Sequence, residues 1–462
     1  MHTHTGGTLS GSGAPRTDGR RAALALIGAY LLLVAPLVWM GAGGTSEARD
    51  QSVYHLPVVE AMVAQWPRVD IVNYESATAP GYHLLLAAAW RATGSRGAIF
   101  ALNAAVSLGL LLVVLRLVVR FAPGWGALAL VAPLLLNPYL LGGAVWLTTD
   151  NAALLLVAMA LSGACAGISS AGRSAAVGVL ASGAVFVRQI HVWLAAPLVL
   201  AGLLTSPAAR WLPVWVRRET GTESDERGSW RALALSCASA AAPVAVVAAL
   251  VWAWGGLTPR AIGFAQVHAG GPNPASPAFM LTLCALFGVP MLTMVERLGA
   301  LALERRAGLV IAGVLGLALA LIPQTSYQEL PRAFGWVWRV IGLTPTVGER
   351  SVLVTLGAPV GAMVLWLLQG GALRAGRGRA GAVLMVSVVC WVAAQSANSM
   401  AWQRYFDPMV LMSLAWLTAL GVREGARASW RRASGPIALA LVQGALSAAT
   451  LYREAIGEVM GR

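Results

Sequence analysis

The sequence predicts an all-α protein that crosses a membrane many times, and three observations support this fold class. Of its 462 residues, 58% are hydrophobic and only 11% are charged, whereas soluble domains carry about 25% charged residues. The mean hydropathy is +0.70. Apolar runs of about 20 residues, the length that a helix needs to cross the hydrocarbon core, recur along the whole chain.

The apolar runs predict about 13 transmembrane helices, and the polar segment 1–21 before them is predicted to be a disordered cytoplasmic tail. The pair Arg20-Arg21 before the first run is typical of a signal-anchor, which we expect to remain as a transmembrane helix. The fifth and sixth spans are the least regular, because Arg188 and His191 interrupt them. The predicted spans are 22–42, 97–119, 125–144, 152–168, 174–187, 190–206, 232–254, 277–295, 308–323, 352–369, 381–395, 408–421 and 435–451.

The basic residues predict the orientation. All 33 are arginine, a usage that suggests a GC-rich bacterial genome and hence the bacterial plasma (inner) membrane. With the N-terminus in the cytoplasm, 21 of them fall in cytoplasmic segments, as the positive-inside rule favours. The C-terminus is then outside, and an even number of spans would reverse only that end. Because the arginines lie in short loops between spans, the pI near 10.8 does not indicate nucleic-acid binding.

The four cysteines are predicted to pack within the membrane. Cys165, Cys237, Cys284 and Cys390 each lie inside an apolar run, far from one another along the chain. This pattern favours neither a disulfide framework nor a zinc site.

The predicted first outer loop, residues 43–96, is unusually polar for this chain. Within it an apolar residue recurs at helical spacing, which predicts an amphipathic helix lying on the membrane surface. That stripe consists of Val53, Leu56, Val59, Met62 or Val63, and Trp66. A second short helix is predicted from Pro80-Gly81 onward.

Ionisable side chains gather at the start of this loop. Asp50 and Tyr54 are four residues apart, as are Gln51 and His55, so each pair shares one helix face. Pro57 either breaks or starts the helix. Solvated loop side chains are the plain alternative for any one of these residues.

Three further outer segments carry polar groups next to apolar spans: "WLTTDN" with Asp150, "VRQIHVW" with Arg188, Gln189 and His191, and "WQRYFDP" with Arg404. Ionisable groups at membrane depth are costly and tend to mark functional cavities. A purely structural ion pair between Arg188 and Asp150 is the alternative. Arginine binds phosphate through charge-assisted bonds, and a carboxylate can act as a general base on a hydroxyl. Together they suit sugar transfer from a lipid phosphate.

Several of these motifs resemble the GT-C glycosyltransferases, integral enzymes that use polyprenyl-phosphate sugars. "DQSVYHLP" and "ATAPGYHLLLA" resemble the first loop of the eukaryotic terminal-glucose α-1,2-glucosyltransferase of N-glycan assembly and of bacterial membrane relatives. "FVRQIHVW" resembles a Phe-Arg-Gln segment of that enzyme. "RYFDP" resembles a late Arg-Tyr-x-x-Pro motif of several GT-C enzymes.

The resemblance implies a GT-C transmembrane domain over 22–462 and an inverting, metal-independent hexosyltransferase without cofactor. Its partners would be a polyprenyl-phosphate sugar donor, a glycan, lipid or protein acceptor, and membrane lipid. Asp50 takes the place of the loop acid and, with His55, would be catalytic, although Gln51 replaces the glutamate usual beside it. The implied substrate-binding residues are Tyr54, Glu75, Tyr82, His83, Asp150, Arg188, Gln189, His191, Arg332 and Arg404.

Two alternatives accompany this prediction. Asp70, Glu75 and Asp150 are rival candidates for the general base. A transporter or flippase of a lipid-linked saccharide is the alternative function, and it predicts internal repeats or helices broken near the membrane midplane. The sequence shows no clear sign of either.

Overall fold

The structure is a computed structural model that describes residues 16–41, 43, 45–122, 124–222, 228–259, 271–326, 334–423 and 429–460. Over these residues nearly all regular structure is helical, and the two-residue strands Thr346–Val347 (β1) and Arg350–Ser351 (β2) form a small antiparallel hairpin. The first half contains α1 (Arg16–Met40), α2 (Ser46–Asp50), α3 (Leu56–Gln65), α4 (Gly81–Thr93), α5 (Gly97–Val118), α6 (Trp125–Leu135), α7 (Pro138–Val145), α8 (Asp150–Cys165), α9 (Ala171–Val187) and α10 (Ala195–Leu204).

The second half contains α11 (Val214–Thr220), α12 (Trp230–Trp254), α13 (Ser276–Met291), α14 (Leu298–Glu304), α15 (Arg306–Leu321), α16 (Trp336–Leu343), α17 (Val352–Arg374), α18 (Gly378–Ser396), α19 (Gln403–Leu420), α20 (Trp430–Ser447) and α21 (Arg453–Met460). Short 3₁₀ helices lie at Gln189–Leu194, Pro207–Trp211 and Leu292–Met294, and π turns lie at Gln51–His55 and Ala448–Tyr452.

The helices confirm an all-α protein with many apolar spans. In the described ranges, seven helices are long and apolar enough to cross a bilayer, and the bent pair α6–α7 raises this number to eight. Four shorter apolar helices, at Asp150–Cys165, Ala171–Val187, Gln189–Leu204 and Arg306–Leu321, accompany them. Each predicted span overlaps one of the helices.

Two predicted boundaries differ from the structure. Helix α1 begins at Arg16, so part of the predicted tail 1–21 is helical, while residues 1–15 lie outside the described part. The predicted span 125–144 is broken into α6 and α7, which meet at 70°. The cause is local: Asn137 caps α7 by accepting from the backbone N–H of Tyr139 and Leu140, and Pro138 occupies the first position of α7.

The predicted interruption near Arg188 is confirmed. Helix α9 ends at Val187, a 3₁₀ turn follows, and α10 begins at Ala195. The charged loop after α10 is partly packed: Thr220 and Thr222 are buried, and Glu219 pairs with Arg305.

Close helix packing builds the main core. Helix α13 lies against α17, and Gly361 makes this approach possible, because a Cβ at that position would overlap the carbonyl of Leu281. Small residues at helix contacts are the usual basis of association in a membrane, where apolar burial between helices adds little.

The first part of the loop 43–96 folds as three consecutive helical segments. The Thr45 hydroxyl caps α2 by accepting from the Ala48 N–H at 3.1 Å. The π turn leads into α3, where the N–H of Leu56 reaches back to the carbonyl of Gln51. Proline lacks the backbone N–H that a position in the helix interior would donate. Pro57 is tolerated because it lies in the first turn of α3.

The middle part of the predicted amphipathic stripe faces the protein interior. Leu56, Val59 and Met62 are buried and belong to a second, smaller core beneath the loop. Val53 and Trp66, which end the predicted stripe, are 51% and 40% exposed. The π turn displaces Val53 from the buried face, because it shifts the helical period by one residue.

Candidate functional site

Five side chains from four elements form a continuous polar chain at one end of the helix bundle. The carboxylate of Asp50 forms an ion pair with Arg404. The second nitrogen of that guanidinium lies 3.3 Å from the hydroxyl of Tyr405. The guanidinium of Arg188 lies 4.8 Å from the centre of the Tyr405 ring, and it forms an ion pair with Asp150. The structure therefore brings together residues that are as far as 354 positions apart.

Each charged member of this polar chain of side chains lies at a helix end. Asp50 is the last residue of α2, and Asp150 is the first residue of α8. Arg188 follows α9 in extended backbone, and Arg404 is in the first turn of α19. A negative charge at the start of α8 is favoured by the helix dipole.

These charged side chains are shielded but not sealed from solvent. Their exposed fractions are 16% for Asp50, 12% for Arg404, 15% for Arg188 and 23% for Asp150. Electrostatic interactions are stronger at such depth than in bulk water. The predicted alternative, an Arg188–Asp150 ion pair, is present in the structure.

An aromatic wall supports the two guanidinium groups. The rings of Trp402 and Tyr405 stack at 5.7 Å. The guanidinium of Arg404 lies 4.6 Å from the Trp402 ring centre and 5.1 Å from that of Tyr405. Stacked guanidinium groups retain their N–H donors for other acceptors.

Two histidines of the loop 43–96, one in the π turn and one in α4, form a pair beside the polar chain. The Nδ1 of His55 lies 2.9 Å from the Nε2 of His83, and the rings are stacked. Burial, and then the charges of Arg404 and Arg188, lower the pKa of His55 to about 3. Burial and the neighbouring His55 hold the pKa of His83 well below its ordinary value. Both rings are therefore neutral at physiological pH.

Glycine brings the second loop helix close to this site. A Cβ at Gly81 would lie 2.6 Å from the carbonyl oxygen of Phe186, so only glycine permits this approach without a shift. The contact places the first turn of α4, with His83, against the end of α9 that precedes Arg188.

Three predicted residues have mainly structural contacts. The Gln189 amide accepts from the N–H of Ala79 at 3.0 Å and donates to two carbonyls. Tyr82 is buried, and its hydroxyl donates to the side-chain oxygen of Asn103 at 2.7 Å. His191 is buried, with its ring 6.1 Å from that of Trp193.

The remaining predicted residues are exposed or lie outside the described residues. Glu75 is exposed, and Tyr54 is 37% exposed. Asp70 accepts from the N–H groups of Val72 and Asn73, and these bonds lower the pKa of its carboxyl. Arg332 lies outside the described residues.

Sequence analysis missed two members of the site. Tyr405 follows Arg404 directly, and the quoted "RYFDP" motif contained it, but a tyrosine next to an apolar span is more often an interfacial anchor. Glu47 lies one turn before Asp50 in α2 and is only 6% exposed. Its carboxyl group fits against Gly142, where a Cβ would lie 3.2 Å away, and its charge acts on Arg404.

In the part of the chain that the structure describes, no three His, Cys, Asp or Glu side chains are grouped to hold a metal ion. Asp50 and Glu47 lie three residues apart on the same face of α2, so Glu47 is the second carboxylate of this helix. The side-chain oxygen of Gln51 accepts from the N–H of Leu147 at 2.8 Å.

No model of a known protein family matches the sequence, and no curated protein sequence matches it significantly. Among solved structures, the chain is similar to the Archaeoglobus fulgidus oligosaccharyltransferase tethered with an acceptor peptide, at 12% identity and a TM-score of 0.49. The archaeal oligosaccharyltransferase AglB from Archaeoglobus fulgidus, in complex with an inhibitory peptide and a dolichol-phosphate, matches at 13% identity and a TM-score of 0.46. Both matches cover 95% of this chain and 55% of the other, so the chain spans about half the length of each of these proteins.

ArnT from Cupriavidus metallidurans bound to undecaprenyl phosphate is similar at 13% identity and a TM-score of 0.39. That match covers 88% of this chain and 78% of ArnT.

Proposed function

We propose that the protein is a membrane glycosyltransferase of the GT-C type, which moves a sugar from a polyprenyl-phosphate donor to an acceptor. The transfer would take place at the non-cytoplasmic face with inversion at the anomeric carbon. The observation that carries this proposal is the chain Asp50–Arg404–Tyr405–Arg188–Asp150, which holds two cations and two carboxylates at one end of a membrane-embedded bundle.

The two guanidinium groups are the proposed ligands of the donor phosphate. Arg404 and Arg188 flank one tyrosine ring, so their free N–H groups can converge on a common anion. A guanidinium has five N–H donors, and one carboxylate uses only part of them. The carboxylates of Asp50 and Asp150 fix the two side chains before the donor arrives, which lowers the entropy lost on binding.

Asp50 is the proposed general base. Arg404 contacts its Oδ2, and no hydrogen bond to its Oδ1 is found among the described residues. When the phosphate engages Arg404, the hold of this arginine on Asp50 weakens, and the carboxylate becomes a better proton acceptor. Donor binding and base activation are thereby coupled.

The reaction then needs only one proton transfer. The acceptor hydroxyl oxygen forms a bond to the anomeric carbon of the sugar, from the face opposite the phosphate. The bond from that carbon to the phosphate oxygen breaks, and the lipid phosphate leaves with the electron pair. The hydroxyl proton passes to Asp50, and the leaving phosphate needs no proton because Arg404 and Arg188 neutralise its charge.

The neutral histidine pair is proposed to line the sugar subsite. At neutral pH, one ring nitrogen of His55 is a donor and the other is an acceptor, so the ring can orient a sugar hydroxyl without adding charge. His83 fixes the His55 ring through the 2.9 Å bond.

One observation favours transport as a second candidate function. Helices α6 and α7 form a span broken by 70°, and broken helices are typical of transporter binding sites. A transporter fold built on inverted repeats would show a second broken span in the other half. Among the described residues, α6–α7 is the only pair of apolar helices that together form one sharply bent span.

The direct test uses the purified protein in detergent or vesicles with a radiolabelled polyprenyl-phosphate hexose. We expect release of the polyprenyl phosphate and appearance of the label on an acceptor from cell-envelope extract. Nucleotide sugars should not replace the lipid donor. Movement of intact, labelled lipid across a vesicle bilayer without sugar release would instead support the transporter.

A further inference from the structure

A buried acid lies one helical turn below the proposed site. Asp407 follows Arg404 by three residues on α19 and is 0% exposed. Its Oδ2 accepts from the side-chain amide of Gln403 at 2.8 Å and from that of Asn137 at 3.4 Å. Its Oδ1 is buried and has no hydrogen-bond partner in the described ranges.

The surroundings of Asp407 do not suit a negative charge. An ionised carboxylate has about four acceptor positions, yet both donors reach one oxygen. No described Arg or His side chain forms an ion pair with Asp407. A buried carboxylate without a cation is strongly disfavoured and takes up a proton instead.

The same acid joins four helices. Asn137, which caps α7 at the break after α6, donates to both Asp407 and Gln443 of α20, the latter at 3.0 Å. Gln403 accepts from the N–H of Val337 at the start of α16, at 2.8 Å. Asp407 is thereby bonded directly to Asn137 at the start of α7, and it is linked to α16 through Gln403 and to α20 through Asn137.

That first turn carries Arg404 and Tyr405, which point to the charged chain, while Gln403 and Asp407 point to the buried amides. Gln403 and Asp407 are four residues apart and therefore lie on one face of α19. Because the backbone of a helical turn is rigid, bonds that fix this face also fix the directions in which Arg404 and Tyr405 leave the same turn. The position of the Arg404 guanidinium thus depends on the buried cluster.

We infer that Asp407 is a neutral, protonated positioning residue that locks the first turn of α19 and so aims Arg404 at Asp50 and at the donor phosphate. Its effect on sugar transfer rests on the proposed function. Its protonation and its effect on binding of a lipid phosphate do not depend on turnover.

The test compares Asp407→Asn, Asp407→Leu and a control, Thr418→Val, in the full-length protein. Asparagine mimics the neutral acid in shape and still accepts from Gln403. Leucine removes all hydrogen bonding. Thr418 is a similarly buried polar residue of α19, far from the first turn, and its hydroxyl donates to the Met291 sulfur at 3.9 Å.

The first readout is the affinity for undecaprenyl phosphate in detergent. We expect Asp407→Asn and Thr418→Val to stay within about threefold of wild type, the scale of a small change in one neutral hydrogen bond. Asp407→Leu should weaken binding by about tenfold or more, and the KM for donor should rise more than kcat falls. A loss in Asp407→Asn as large as that in Asp407→Leu would overturn the neutral-acid assignment.

The second readout is infrared difference spectroscopy of wild type against Asp407→Asn. A protonated-carboxyl C=O band that vanishes in the variant is the expected result, and an ionised-carboxylate band that vanishes instead would contradict the proposal. If Asp407→Leu does not fold, the spectrum and the Asp407→Asn affinity still decide it. If wild type binds undecaprenyl phosphate but transfers no sugar, the proposed function fails while both readouts remain valid.

Discussion

At the scale of single residues, the two arginines of the polar chain are the first point to test. If Arg188 and Arg404 bind the donor phosphate, each Arg→Ala variant loses charge-assisted hydrogen bonds of about 1.5–3 kcal/mol. Donor affinity should then fall by about one to two orders of magnitude. Lysine should restore it only in part, because it lacks the planar fork of arginine.

The matched control is Arg96→Ala. Arg96 lies at the end of the loop 43–96 and forms a 3.7 Å ion pair with Glu60, but both side chains are about half exposed. Exposed pairs contribute little, so we expect unchanged donor use. Donor KM values equal to wild type in folded Arg188→Ala and Arg404→Ala would leave the two arginines with a structural ion-pair role alone.

The sequence predicted the charged members of the site but not their connections. Asp50, Asp150, Arg188 and Arg404 stand out because ionisable groups are rare in so apolar a chain. Tyr405 does not stand out, since its role depends on the two guanidinium groups that the fold brings to its ring. Pairings over such sequence distances are set by helix packing, which has no local signature.

At the scale of elements, the contact between the π turn and α4 depends on the histidine pair. The pKa of His55 is about 3, and that of His83 is also far below its ordinary value. The unfolded chain therefore binds more protons than the native state below about pH 6.5. Stability should fall as the pH decreases from about 6.5 toward 3, because protonation favours the unfolded state.

Thermal unfolding of the purified protein between about pH 7 and pH 5 checks this expectation. Wild-type Tm should decline, and the double variant His55→Gln/His83→Gln should show a shallower decline, whatever its absolute Tm. The slope is the useful quantity, because either substitution also alters packing around the buried pair. Identical slopes would show that the pair does not carry the acid sensitivity.

Local sequence signals predicted most elements but not their irregularities. Hydrophobic runs located the spans because a bilayer requires backbone hydrogen bonds to close within each helix. The break at Asn137 and the π turn at Gln51–His55 were missed. The break has a local signal in the Asn137 cap and Pro138, which lie within an otherwise apolar run. The partners of these segments, Asp407 and Gln443 for Asn137 and His83 for His55, lie in other elements and have no local signal.

At the scale of the whole molecule, the two ends of the bundle differ in their polar groups. One end carries the proposed site. At the other end of α19, Arg377 donates to the carbonyls of Leu420 and Val422, and the ion pair Arg305–Glu219 lies near the ends of α11 and α17. From the positive-inside rule we predict that the arginine-rich end faces the cytoplasm.

Labelling of intact cells tests that orientation. In a variant whose four cysteines are replaced by serine or alanine, we introduce one cysteine at the exposed position Asp70 or at the exposed position Arg210. A membrane-impermeant maleimide should label the first from outside and the second only after permeabilisation. The reverse pattern would place the proposed site in the cytoplasm and exclude a donor presented at the outer face.

The central claim is that Asp50 accepts the proton during sugar transfer from a polyprenyl phosphate, and Asp50→Asn tests it most directly. Asparagine keeps the size of the side chain and one acceptor oxygen for Arg404, but it cannot take up the proton. Loss of a general base lowers rates by about 10²–10⁴. We predict that the variant folds, binds undecaprenyl phosphate like wild type and transfers almost no labelled sugar. Transfer above about a tenth of the wild-type rate would contradict the account and direct the search to Glu47 or Asp150.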